Sequence, residues 1–408
     1  MSSRVLTLVA SRVTEAAARR TLILLAAAEL LAMSLWFTGT AVLPQLSAQW
    51  GASLAVSAWL TMAVQLGFVL GALAIAVFNL PDIFSAPQIF VISSLCAAVA
   101  NAFFAAVAPR HEVAAIALRL VTGAFLAGVY PTGMKILTGW FRSGRGLALG
   151  ILIAALTVGS ALPHGLHSFT LPWRTVVYAS SILSAIAALI VLLGVREGPY
   201  AAPQPPLDFS QAGEVWRNRR LRYANLGYLG HMWELYSMWG WMAVLLAASR
   251  HAADTSRVEL GAFAVIAVGA IGCVWAGFAS DRCEATPSRV RQRARVTIIA
   301  MAVSGACCLV AALVFDSFPV LVAVSLVWGI AVIADSAQFS AIISEVADPR
   351  YVGTALALQT ALGFLLTVAS LRLIAVIGQN SGWRWAAAAM AIGPAVGIWA
   401  MRKLMASS

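Results

Sequence analysis

Glu29-Leu30-Leu31-Ala32-Met33-Ser34-Leu35-Trp36 and Glu234-Leu235-Tyr236-Ser237-Met238-Trp239-Gly240-Trp241 carry Glu, Leu, Met and Trp at matching places. The two octets stand at an offset of 205 residues, each inside an apolar run where a carboxylate is expensive and therefore uncommon. Two further pairs repeat at nearly the same offset: Gly71 with Gly277, and Gly146-x-Ala148-Leu149 with Gly353-x-Ala355-Leu356. A chain of 408 residues that repeats at this spacing is built from two copies of one unit.

The medium follows from composition. Hydrophobic residues make up 61% of the chain and charged ones 11%, against about 25% charged in ordinary globular proteins. A water-soluble fold of this length is excluded. Runs of roughly 20 apolar residues, enough to cross about 30 Å of hydrocarbon, predict twelve helices over 21–43, 53–79, 84–108, 113–140, 146–168, 175–195, 223–248, 259–280, 296–315, 319–344, 352–376 and 385–401. The longest polar stretch, 196–222, holds Pro199, Pro203, Pro205 and Pro206 and splits the spans six and six. Six crossings return the chain to its starting side, so the copies share one topology about an axis along the membrane normal. The expected organisation is a tail at 1–20, a six-helix bundle at 21–195, a linker at 196–222, a second bundle at 223–402 and a tail at 403–408.

The net charge of +11 is explained by topology rather than by nucleic acid. Of the 27 Lys and Arg residues, 19 fall in the tails, the linker and the loops on the same side. The excess of cations on cytoplasmic loops then places both termini and the linker in the cytosol of a cell inner membrane. The basic clusters at 217–222 and 289–295 are orientation determinants that also suit anionic lipid. Five cysteines show no CxxC and no metal-type spacing, so neither a disulfide framework nor a metal site is expected. Walker A, HExxH and GxSxG sequences are absent, which excludes the enzymes and ATP-driven pumps they mark. No cofactor is expected, and energy is expected from an ion gradient.

Gly277-Phe278-Ala279-Ser280-Asp281-Arg282, between spans 8 and 9, resembles the Gly-x-x-x-Asp-Arg loop motif of the major facilitator superfamily. Arg119-x-x-x-Gly123 in span 4 resembles that superfamily's Arg-x-x-x-Gly element, and Gly150, Gly159 and Pro163 approximate its antiporter motif without the closing glycines. The first-half copy of the loop motif has Ile75 where Asp would stand. The resemblance implies an all-α membrane protein of twelve transmembrane helices, with two six-helix bundles related by a pseudo-twofold. It also implies a cavity lined by spans 1, 4, 7 and 10, a bundle interface made by 2, 5, 8 and 11, and lipid contact at 3, 6, 9 and 12. The charged residues and histidines past the first position of a span, Glu29, Arg119, Lys135, His164, His167, His231, Glu234, Asp335 and Arg372, avoid those last four.

At about 1.5 Å per residue, Glu29 and Glu234 reach the midplane and are expected to face each other across the pseudo-twofold. His231 shares a helical face with Glu234, Met238 and Trp241, as Trp328 does with Asp335 and Gln338. These placements predict a proton-coupling site at Glu29, Glu234 and Asp335, with Glu29 as the main proton carrier, Asp335 as an inner relay and Glu234 also orienting the solute with His231; solute binding is expected of His231, Trp36, Trp241, Arg119 and Gln338. The competing reading makes the carboxylates static partners of Arg119, Lys135 or His231; His164 and His167, near the outer end of span 5, are expected to be structural or interfacial. A gate is expected where Asp281, beside Arg282, meets the start of span 5 at Arg145 and Gly146. The expected function is proton-coupled movement of a small organic solute by a single chain, with the antiporter-like motif pointing to efflux. The alternatives are proton-symport uptake of an organic anion or zwitterion, and a non-transporting sensor.

Overall fold

The computed structural model describes residues 3–51, 54–108, 110–201, 213–249, 254–281, 286–348 and 351–407. The first half forms α1 (Ser3–Met33), α2 (Thr38–Ala41), α3 (Leu43–Trp50), α4 (Leu54–Val77), α5 (Leu80–Ile83), α6 (Ala86–Val107), α7 (Glu112–Leu126), α8 (Tyr130–Trp140), α9 (Arg145–Ser168) and α10 (Trp173–Gly194). A short α11 (Glu214–Arg217) ends the linker. The second half forms α12 (Arg219–Ala247), α13 (Thr255–Ala267), α14 (Gly269–Ser280), α15 (Thr286–Leu313), α16 (Phe318–Ala334), α17 (Ser336–Val346), α18 (Val352–Asn380), α19 (Trp383–Met390) and α20 (Ile392–Ala406).

Local chemistry explains where these helices start and break. Ser85 and Gln88 close a capping box on α6, Asn218 accepts from the Arg220 and Leu221 amides at α12, and Asp254 accepts from the Arg257 amide at α13. Span 4 is interrupted between α7 and α8 just before Pro131, whose ring and missing amide disrupt the preceding turn. Span 10 is interrupted at the repeat-related level, at Asp335 between α16 and α17.

Nine of the described helical stretches are long and apolar enough to cross a membrane. They correspond to spans 2–6 and 8–11. Span 1 carries Glu29 and breaks after Met33, span 7 carries His231 and Glu234, and span 12 is split at Ala391, which dilutes or shortens their apolar runs. Within the first bundle α4 packs on α7, α6 on α7 and α10, and α1 on α9 and α10; within the second α12 packs on α18 and α20, and α15 on α16 and α20. The bundles meet through α9 on α13 and α14, and through α4 on α18. These are spans 5 with 8 and 2 with 11, the interface the resemblance implied. Spans 3, 6, 9 and 12 turn large apolar side chains outward, among them Phe103, Ile182, Leu193, Ile299, Leu313 and Trp399. The end holding the linker and the start of α9 is here called the linker face, and the opposite end the far face.

Candidate functional site

Glu29 is fully buried on α1, and neither carboxylate oxygen has a hydrogen-bond partner among the described residues. It lies against Gly133 on α8, where an added Cβ would sit 3.0 Å from Oε2. The missing side chain makes the room for the carboxyl. Tyr130, one turn earlier on α8, is within electrostatic range of both Glu29 and Tyr228, and Tyr236 is within range of Tyr130 and Tyr228. Tyr130 of the first bundle and Tyr228 and Tyr236 of the second therefore lie near one another. Sequence reasoning missed them because Tyr has no formal charge to mark it inside an apolar span.

Glu234 is not the mirror image of Glu29. It turns into its own bundle and accepts from Trp328 Nε1 at 2.7 Å, Ser304 Oγ at 2.8 Å and Cys308 Sγ at 3.2 Å. The expected face-to-face arrangement is corrected: three donors on α15 and α16 are available to a carboxylate that would otherwise be buried without partners. His231 likewise approaches Asp335 rather than Glu234, with Nδ1 at 2.8 Å from Oδ1. Its ring lies beside Tyr228 and Phe339, at 6.1 and 5.4 Å between centroids. Asp335 occupies the break in span 10, and the angle of approach leaves both of its oxygens without a hydrogen bond among the described residues.

The repeat-related tryptophans also part company. Trp36 joins Phe68, Tyr236 and Phe364, at 5.1, 5.9 and 5.6 Å between centroids, in an aromatic cluster that closes the gap between the bundles. Trp241 instead donates to the Leu371 carbonyl at 3.0 Å and lies against Trp383 with the rings tilted at 46°, so it packs the second bundle internally. Arg119, expected at the solute, is engaged by groups of its own bundle. It donates to Trp36 O at 2.7 Å, Leu35 O at 3.1 Å and Asn101 Oδ1 at 2.8 Å, satisfying carbonyls exposed where span 1 breaks. Gln338 is committed too, accepting from Arg293 at 2.9 Å and donating to Ala276 O at 3.3 Å.

At the linker face Asp281 accepts from the amides of Gly146 and Leu147, each at 2.9 Å, across the bundle boundary. The first amides of a helix lack internal partners and carry the positive end of its dipole, so a carboxylate fits there. The approach depends on paired glycines: a Cβ on Gly146 would stand 2.4 Å from Asp281 Oδ1, and one on Gly277 2.5 Å from Gly146 O. Arg145 does not meet Asp281; it donates to Phe141 O and Thr138 O behind the start of α9. Arg282 lies outside the described residues. At the far face His164 and His167 of α9 meet Glu259 of α13. Glu259 was missed because it is the first residue of its apolar run, where it reads as a loop residue. Among the described residues no group of three or more His, Cys, Asp or Glu side chains is arranged to hold a metal ion.

The profile of the Major Facilitator Superfamily matches residues 24–292. The chain belongs to the Major Facilitator Superfamily. It is therefore a multi-pass membrane transporter of small molecules and not an enzyme, and no curated protein sequence matches it. Its fold is similar to that of the human organic anion transporter MFSD10 (TETRAN), at TM-score 0.69 and 15% identity over 94% of this chain and 99% of that one. A bacterial homologue of the human lysosomal transporter Spinster gives TM-score 0.68 and 16% identity in its inward-facing occupied form, covering 94% of this chain and 96% of that one. Its inward-facing unoccupied form gives 0.69 and 15%, covering 96% and 98%. Within this superfamily scaffold the structure has contacts between the bundles at both faces.

Proposed function

We propose that this superfamily member is a proton-coupled exporter of a small organic solute, with Glu29 as the proton carrier. The supporting observation is the Glu29 carboxyl: fully buried, opposite Gly133 and without a hydrogen-bond partner among the described residues. An ionised carboxyl in that setting is costly. The group is stable there when it holds a proton, or when a solute or a rearranged neighbour supplies a donor. Loading and unloading that proton as the bundles rock gives the coupling.

Asp335 with His231 supplies a second ionisable pair in span 10, and the phenols of Tyr130, Tyr228 and Tyr236 offer neutral polar contacts to the solute. Glu234 serves to tie α12 to α15 and α16. The exporter reading gains over anion symport because Arg119, a cation expected at the solute, is already occupied by Asn101 and two carbonyls. The cation distribution supports a cytosolic linker face in the plasma membrane. Proteoliposomes with an imposed pH gradient test the reading: a solute that moves against the inward proton flow supports export, and co-movement of solute and protons overturns it in favour of symport.

A further inference from the structure

The interface between α9 and α13 carries a second set of ionisable groups with no part in the coupling described above. His164 and His167 stand one turn apart on α9, in the first bundle, and Glu259 stands on α13, in the second. His164 Nδ1 lies 2.6 Å from Glu259 Oε2, and His167 Nδ1 lies 3.4 Å from Oε1. All three side chains are at most 1% exposed. Beside them Ser256 donates to the Ser168 carbonyl, and a Cβ on Gly165 would stand 2.9 Å from the Phe263 ring, so the two helices are in close contact. Parting of the bundles at the far face must break this contact.

We propose that His164, His167 and Glu259 form a proton-binding latch: one proton held by the cluster keeps the far mouth shut, and its loss opens it. With one proton between imidazole and carboxylate the cluster is electrically neutral and suits a dry interior. Without that proton an unbalanced negative charge is left between the helices, and hydrating it requires them to separate. His164 Nε2 and both ring nitrogens of His167 have no hydrogen-bond partner among the described residues, so the cluster retains sites where a proton can arrive and leave.

Neighbouring charges are accounted for elsewhere. On α13 itself Asp254 caps the helix and Arg257 is exposed; before α16 Asp316 is paired with Arg384; on α10 Arg174 is exposed over Trp173. On α14 Cys273 contacts Thr157 of α9, on α8 Lys135 is partly exposed nearer the linker face, and on α17 Glu345 is bound by Arg293. Glu29 on α1 lies against Gly133, and His231 and Glu234 on α12 engage Asp335 and the α15–α16 donors. The latch is independent of the Glu29 reading, since it concerns opening of the far mouth and not the transported proton.

The reporter is a cysteine at Thr61, a buried residue between the bundles whose hydroxyl pairs with Thr40 at 2.8 Å. It is placed in the full chain with its five native cysteines replaced. Labelling by an impermeant maleimide is divided by that of a cysteine at exposed Ala48, which cancels the pH dependence of the thiol reaction. The ratio should rise about threefold or more between about pH 5.5 and about pH 8.5. It should be independent of pH in Glu259→Gln and in His164→Asn. A flat ratio with the histidines and Glu259 intact, or an unchanged rise in either folded variant, overturns the latch.

Discussion

Asp281→Asn isolates the linker-face gate, because it keeps the size of the side chain while removing its charge and one of its two acceptors. The aspartate takes two amide hydrogen bonds at 2.9 Å from the start of α9. An asparagine can accept one of them, and its NH2 group must then oppose the other amide. Losing one exposed hydrogen bond costs about 0.5 to 1.5 kcal/mol, and losing the charge at the helix terminus about 0.3 to 1 kcal/mol. Together these come to about 0.8 to 2.5 kcal/mol and shift the equilibrium between closed and open linker faces by about 4- to 70-fold toward open. Spin labels at Ser143, before α9, and Ser344, on α17, are exposed and report from opposite bundles. Their distance distribution, measured by double electron–electron resonance, should gain a longer component in the variant. An unchanged distribution would refute the argument that this carboxylate holds the bundles together.

The repeat supplies a matched pair of glycines. Gly146→Ala places a Cβ 2.4 Å from Asp281 Oδ1 and should reproduce the long-distance component of Asp281→Asn, whereas Gly353→Ala meets nothing within 4 Å and should leave the distances unchanged while adding about 0.5 to 1 kcal/mol of helix stability in a melting experiment. Arg119→Lys keeps the charge but cannot reach Asn101 and both carbonyls together; stranding those buried groups should cost about 1 to 3 kcal/mol and lower the melting temperature in detergent, while an unaltered melt would show that the arginine is not structural. A single cysteine at Ala48 should react with an impermeant reagent from outside intact cells and one at Ser143 should not, and the opposite pattern would invert the orientation.

What could be read from the sequence was what depends on period and repetition. The Glu29/Glu234 octets and the glycine matches imply two six-span units, and the interface of spans 5 with 8 and 2 with 11 follows from the superfamily they resemble. Asp281 beside Gly146 was legible because both halves of that contact carry a signature, a loop motif and a helix start. The side-chain partners were not legible for a common reason: helical spacing says which residues share a face, but not which neighbour that face meets. Glu234 and His231 do lie on one side of α12, yet Ser304, Cys308 and Trp328 take one and Asp335 the other. Arg119 could not be assigned because the carbonyls it serves are freed by a break in span 1 that no Pro or Gly announces at Ser34 to Phe37. The identical position of Trp36 and Trp241 in the repeat likewise hides different surroundings, an interface between bundles for one and the interior of a bundle for the other.

The central claim is that Glu29 carries the coupled proton, and proteoliposomes holding Glu29→Gln test it most directly, with internal pH and solute followed together. Glutamine fills the same space against Gly133 and cannot exchange a proton. The account predicts that solute flux driven by an imposed pH gradient is lost in the variant while exchange of labelled for unlabelled solute at equal pH continues. Retention of pH-driven flux in Glu29→Gln, at the level of the unsubstituted protein, would contradict it and move the search to Asp335 and His231.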